Sequence, residues 1–275
     1  MASTMTASPP IPPESEIVRV LRAAGCVFAE DEAALLVAES GSDAELARRV
    51  ERRVEGVPLE VILGWAEFGG LRIEIDPGVF VPRQRTEYLV RLAARVATPA
   101  SIVVDLCCGS GALGAALAAR VPGIHLFASD IEPAAVACAR RNLVGVGEVF
   151  EGDLFDALPA ELRGQIDVLM VNAPYVPTDE IAGMPPEARD HEPLITLDGG
   201  SDGLDVHRRV AAGARQWLAA GGTLFIETSK QQARDAAALM QASGLSTAVA
   251  RSKKRGATVV MGTKVLGTKG LGRKP

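Results

Sequence analysis

The stretch Ser101-Ile-Val-Val-Asp105-Leu-Cys-Cys-Gly109-Ser-Gly111-Ala-Leu-Gly114 decides how the rest of the chain is read. An apolar run of strand length ends in an acid, three glycines follow in a Gly-x-Gly-x-x-Gly pattern, and an alanine-rich segment at helical spacing begins. A continuous apolar run of this length reads as a strand covered on both faces. The glycines permit a tight turn and let a ligand approach the backbone. Strand, glycine turn and helix together form the opening unit of a doubly wound α/β sheet.

Outward from this unit the pattern alternates. Strands are expected at 101–106, 124–129, 146–150, 166–171, 222–228, 244–250 and 256–262, and helices at 86–97, 112–120, 133–142, 203–219 and 230–242. Such alternation predicts a Rossmann-like sheet of seven strands, mostly parallel, that binds ligands at its carboxyl edge.

Toward the N-terminus, Ile17, Val20 and Leu21 recur at helical spacing. A second helix fits Asp31 to Glu39, and a third starts at Ser42 with Glu45 as a capping box. Phe68-Gly-Gly-Leu71 reads as a hairpin turn and Asp76-Pro-Gly78 as a second turn. The expected organisation is therefore a disordered leader at 1–13, a helical domain at 14–57, a hairpin linker at 58–79, the catalytic sheet at 80–262 and a flexible basic tail at 263–275.

Composition narrows the partners. A net charge of −5 over 275 residues argues against a protein that grips a long nucleic acid. Cys26, Cys107, Cys108 and Cys138 form no Cys-x-x-Cys pair, and the three histidines are scattered, so neither a metal site nor a disulfide framework is expected. No apolar run reaches membrane-spanning length, and the N-terminus lacks the signature of a signal peptide, which points to the cytoplasm.

Asp130 lies at the end of the second expected strand, nineteen residues after Gly111, where its carboxylate suits ribose hydroxyls. This layout fits either a dinucleotide, whose pyrophosphate would sit on the helix N-terminus, or S-adenosylmethionine, whose ammonium group suits Asp105. The loop alone does not separate the two. Asp153 in Gly152-Asp-Leu154 is a candidate acceptor for an adenine amino group, although it also reads as a plain turn and helix cap.

The fourth strand runs into Asn172-Ala173-Pro174-Tyr175. The Asn172 side-chain oxygen and the Ala173 carbonyl can each accept one N–H of a planar NH2 group, and Tyr175 can pack on its flat face. An amide nitrogen is a poor nucleophile, so fixing it between two acceptors and stabilising the charge it develops is what methylation requires. A strand-ending turn with a surface tyrosine is the plainer reading of the same residues.

With these residues in view, the chain resembles the HemK-type protein-(glutamine-N5) methyltransferases, which modify the Gly-Gly-Gln loop of translation release factors. The likeness is carried by Pro58 to Gly64, Phe80-Val-Pro-Arg83, Asp105 to Gly111, Asp130, Gly152 to Phe155, Asn172 to Tyr175, Glu187 to Pro193, and Leu197 to Leu204. It implies a class I methyltransferase sheet with a small N-terminal helical domain. It also implies S-adenosylmethionine as cofactor, held by Asp105, Gly109, Gly111, Asp130, Ile131, Asp153, Leu154 and Asn172, and an acceptor pocket that includes Phe80, Pro82, Asn172 and Tyr175. Two departures stand out. The family's Arg-Pro-acid-Thr-Glu segment is Arg83-Gln-Arg-Thr-Glu87 here, and its Asn-Pro-Pro-Tyr is Asn-Ala-Pro-Tyr, the form of a related subgroup, which loses the stiffness of a first proline.

Three other functions are weighed against this one. A nucleic-acid amine methyltransferase would share the Asn-x-Pro-Tyr device but needs a positive channel, for which only the eight basic residues from Arg251 to Lys274 speak. An NAD-dependent oxidoreductase fits the glycines but leaves residues 172–204 unused. A binding module would keep the fold and lose activity through Ala173.

Overall fold

The computed structural model describes residues 14–265; the expected leader and most of the expected tail lie outside the described residues. Helices α1 (Glu14–Ala23), α2 (Ala29–Glu39), α3 (Asp43–Val54) and α4 (Leu59–Leu63) come first, followed by a hairpin of β1 (Trp65–Phe68) and β2 (Leu71–Glu74). A 3-10 turn at Gln84–Thr86 enters α5 (Glu87–Ala93), and then β3 (Ile102–Leu106), α6 (Ala112–Arg120), β4 (His125–Asp130), α7 (Pro133–Asn142) and β5 (Gly147–Glu151) alternate. The second half holds β6 (Ile166–Val171), α8 (Pro186–His191), α9 (Asp205–Trp217), β7 (Leu218–Glu227), α10 (Ala233–Ala242), β8 (Ser246–Ser252) and β9 (Ala257–Thr263). Among the described residues, no helix is long and apolar enough to cross a membrane.

The expected seven-stranded, mostly parallel sheet forms in the order β5-β4-β3-β6-β7-β9-β8, with β9 antiparallel to both its neighbours. Chain order reverses between β3 and β6, where Leu106 stands in register with Val171. The connections leaving these two strands diverge, and a crevice opens at their carboxyl ends. It is bordered by the glycine loop on one side and the segment from Asn172 on the other.

Both faces of the sheet are covered, which explains the uninterrupted apolar strands. On β6, Val168 and Met170 join the cluster under the hairpin, α5, α6 and α7, while Leu169 and Val171 join the cluster under α9 and α10. Each fully buried side chain of this size contributes roughly 1.5–3 kcal/mol of transfer free energy.

The N-terminal helices bury a core of their own around Ile17, Leu21, Leu36 and Leu46, reinforced by a buried ion pair from Arg53 Nε to Glu32 at 2.6 Å. Ser42 caps α3 by accepting the Glu45 N–H at 3.3 Å. Glu45 reaches back to the N–H of Gly41 at 2.8 Å, one residue before the position the capping-box pattern predicts. In the hairpin, Gly69 and Gly70 have φ of +63° and +84°, the pair of left-handed residues a two-residue turn needs. Asn142 fastens this hairpin to the glycine loop, because its side chain bonds both backbone groups of Glu74 and the Ser110 carbonyl.

Some boundaries differ from the sequence expectation for local reasons. The helix expected at 203–219 starts only at Asp205, since Gly203 has a φ of +72°. The strand expected from 222 begins at Leu218, because Gly221 and Gly222 pair with Lys264 despite their turn-like composition.

Candidate active site

At the carboxyl edge of the sheet lies one cleft of about 550 Å³. One wall is the loop after β3. Its Cys107 has a φ of +58°, a conformation that costs energy in a residue with a β-carbon and concentrates at functional loops. Gly109 has a φ of +54° and points toward open space, with no atom within 4 Å of where a β-carbon would stand. Gly109 donates its N–H to Asp130 Oδ2 at 2.8 Å, and Glu132 donates to Asp130 Oδ1 at 3.0 Å. Asp130 is thus aimed by two backbone bonds and still keeps lone pairs for a ligand. Burial pushes its carboxyl up, and these N–H groups pull it back. Ile131, Asp153 and Leu154 complete this wall.

Two residues expected to touch the cofactor stand behind the wall. Gly111 faces Leu143, whose side chain would lie 3.1 Å from an added β-carbon, so this glycine shapes the turn and does not line the cleft. Asp105 is buried under the loop, where its Oδ2 accepts the Gly114 N–H at 2.9 Å and its Oδ1 has no partner. Burial raises the Asp105 pKa to about 8. Gly114 itself has a packing task, since a β-carbon there would come within 3.0 Å of Leu126 on β4. Asp153 is not free, because Arg209 holds its Oδ2 at 2.6 Å. Burial pushes the Cys107 and Cys108 thiols well up, which disfavours their thiolate forms.

The opposite wall carries Asn172, Ala173, Pro174 and Tyr175 together with Phe80 and Pro82, so the expected acceptor residues do meet in one cleft. Among the described residues, neither the Asn172 side-chain amide nor the Ala173 carbonyl has a hydrogen-bond partner, so both remain available to a ligand. The turn around them is built from distant parts of the chain. Gln232 Nε2 donates to the Tyr175 carbonyl at 2.8 Å and to the Asp202 carbonyl at 3.0 Å. A β-carbon on Gly203 would fall 2.3 Å from the Tyr175 carbonyl oxygen, so only glycine fits. Val176 pairs with Leu197 and Gly199 through backbone bonds of 3.0 and 2.9 Å. The run Leu197 to Leu204 is therefore the brace of the Asn172 to Tyr175 turn.

Sequence reasoning missed the charged groups behind Tyr175. The Tyr175 hydroxyl accepts from Arg85 Nη2 at 2.9 Å and faces Glu227 Oε1 at 3.4 Å, while Arg85 Nε donates to the same Glu227 oxygen at 3.2 Å. Burial raises the Glu227 pKa and Arg85 opposes that rise. The Tyr175 hydroxyl is likewise raised by burial and by Glu227. A lone acid ending the apolar strand Leu224-Phe-Ile-Glu227 was the one available signal. On the same side Glu192 receives Arg83 with both oxygens at 2.6 Å, and Arg83 also lies 4.9 Å from the centre of the Phe80 ring. Each arginine on the cleft is paired with an acid, whereas Glu60, Glu132 and Asp198 line it without a cationic partner among the described residues. The field inside suits a cation and opposes a polyphosphate.

The chain is similar to known proteins in sequence and in fold. The family model described as Methyltransferase small domain matches residues 70–183. A release factor glutamine methyltransferase from Geobacter sulfurreducens is 36% identical over 219 residues, which cover 78% of this chain and 76% of the relative. A 4-amino-L-phenylalanine/4-methylamino-L-phenylalanine methyltransferase from Streptomyces pristinaespiralis is 38% identical over 203 residues, covering 71% and 69%. Among solved structures, a methyltransferase from Pyrococcus furiosus shares the fold with a TM-score of 0.54 at 15% identity, over 72% of this chain and 90% of that one.

Proposed function

The chain belongs to the release factor glutamine methyltransferase family, and from that premise we propose that it methylates a glutamine side-chain amide nitrogen in a protein, with the Gly-Gly-Gln loop of a release factor as the first substrate to test. It is an S-adenosylmethionine-dependent enzyme. The residues fit that cofactor: the bare side of Gly109 leaves room against the loop, the unpaired Asp105 oxygen suits an ammonium group, and the acid-rich cleft suits a sulfonium. When bound, S-adenosylmethionine supplies an electrophilic methyl group on cationic sulfur, which passes to the nitrogen lone pair and leaves S-adenosylhomocysteine and a released proton.

The chain's own residues do the positioning. Asn172 and the Ala173 carbonyl accept the two N–H bonds of the amide and turn its lone pair toward the methyl group. Their dipoles stabilise the positive charge that develops on nitrogen. Alignment of this kind can lower a barrier by roughly 7–11 kcal/mol. Tyr175, Phe80 and Pro82 sandwich the planar group and exclude water. The observation that carries this reading is the pair of unpartnered acceptors, Asn172 and Ala173, on the wall facing the cofactor loop. Translation factors work in the cytoplasm, which sets the expected location. The acids on the cleft count against a nucleic-acid acceptor.

A second reading has its own support. The Streptomyces pristinaespiralis relative is named for an aromatic amine acceptor, and the same two acceptors would hold an aniline NH2. Incubation with methyl-labelled S-adenosylmethionine, offered a release factor, 4-amino-L-phenylalanine, total cell protein and total RNA in parallel, separates the cases. We expect label in the release factor or in another protein at glutamine. Label confined to the free amino acid or to RNA would overturn the proposal.

A further inference from the structure

We propose that Arg85 is a positioning residue for the acceptor, clamping Tyr175 from behind and supplying rigidity that Ala173 leaves out of the turn. This rests on the reading of Asn172 to Tyr175 as the acceptor site. The sequence departs from the family pattern at 84, 85 and 173, and of these Arg85 bonds the tyrosine of the same four-residue turn that contains Ala173. Alanine at 173 does not lock φ as proline would, and it frees Asn172 from the restriction that a following proline imposes. The backbone of Tyr175 is held by Gln232 and by the close approach of Gly203, but neither touches its ring.

The ring is held at its tip and its edge. Arg85 presents Nη2 to the hydroxyl at 2.9 Å and Nε to Glu227 at 3.2 Å, using two arms of one planar fork. His207 meets the ring edge-on, with centroids 6.5 Å apart and planes at 88°, and its Nε2 lies 3.2 Å from the Glu227 carbonyl. The Glu227 carboxylate is itself buried, and the buried Thr86 hydroxyl lies beside it. Arg85 is the only cation paired with this buried acid among the described residues, so although the guanidinium is half-exposed its departure would leave Glu227 with only the Tyr175 and Thr86 hydroxyls beside it. Lysine offers a single point charge and cannot serve hydroxyl and carboxylate in the same planar geometry.

The test uses the full chain with Arg85→Met and Arg85→Lys, each with and without Ala173→Pro. Tyrosine occurs only at 88 and 175, so ring-labelled tyrosine gives two sets of signals that Tyr175→Phe assigns. We expect both Arg85 variants to bind S-adenosylhomocysteine as the parent does. We expect kcat on a Gly-Gly-Gln peptide to fall by about tenfold or more, the size of one lost hydrogen bond to a charged group. Ring order at Tyr175 should fall by NMR relaxation, and Ala173→Pro should restore most of both losses. Unchanged ring order in Arg85→Met, or losses that simply add with Ala173→Pro, would overturn the clamp. If the parent methylates no glutamine probe, the acceptor reading fails, while ring order alone still decides whether Arg85 holds Tyr175. Should Arg85→Met not fold, Arg85→Lys keeps a charge beside Glu227, and its ring order decides the question in the same way.

Discussion

The two walls of the cleft are made by different means. The wall proposed for the cofactor is local: Gly109, Asp130 and Glu132 lie within 24 residues of one another and are joined by backbone N–H groups. The acceptor wall is assembled from afar, since Tyr175 is held by Arg85, Glu227 and Gln232, at sequence separations of 90, 52 and 57 residues. A local wall survives substitution of the other and can serve many acceptors. A wall built from three distant segments is tuned by each of them, and the differences in substrate among relatives are expected to collect there.

Removing a residue from each wall should therefore produce different losses. The largest expected effect is on the acceptor side. Asn172→Ala should lower kcat by about 10²–10³-fold, the range seen when one preorganised dipole is taken from a reacting centre. Affinity for S-adenosylhomocysteine, measured by calorimetry, should stay within about threefold, because the change in binding energy for a group that faces the acceptor is small. An equal loss of cofactor affinity would mean that the two walls are not separable. Asp130→Ala should do the reverse. Loss of a charged acceptor is worth about 1.5–3 kcal/mol, or roughly 10–100-fold in the cofactor dissociation constant. An unchanged constant would remove Asp130 from the ribose site.

The same contrast explains what could be read from the sequence. All seven strands, the glycine turn and Asp130 were legible because each is written in residues close together: an apolar run, a turn glycine, an acid at a strand end. The Asn172 to Tyr175 turn was legible as a motif, but what braces it was not. Gly203 looks like any loop glycine until the Tyr175 carbonyl is seen 2.3 Å from its missing β-carbon. Arg85 was visible only as a departure from a pattern, since its partners come from β7 and from the segment after β6. That Gly111 and Asp105 lie behind the cleft surface has the opposite cause. Both sit in the right motif, yet one side of a tight loop must face the core, and periodicity cannot tell which side that is.

Asp105 offers the smallest and sharpest prediction about the local wall. Burial raises its pKa to about 8, with the Gly114 N–H pulling down and Asp130 pushing up, so the protonated form is favoured into the neutral range in the free protein. A cofactor ammonium group beside the unpaired Oδ1 would favour the ionised form and expel that proton on binding. Affinity for S-adenosylhomocysteine should then rise between pH 6 and 8 by up to about tenfold per unit, the limit for one linked proton, and level off above 8. Asp105→Asn should flatten the profile and leave the binding heat independent of the buffer's ionisation enthalpy. A flat profile in the parent would place the ammonium elsewhere, and Asp105 would then be a fold residue that only ties the loop to α6.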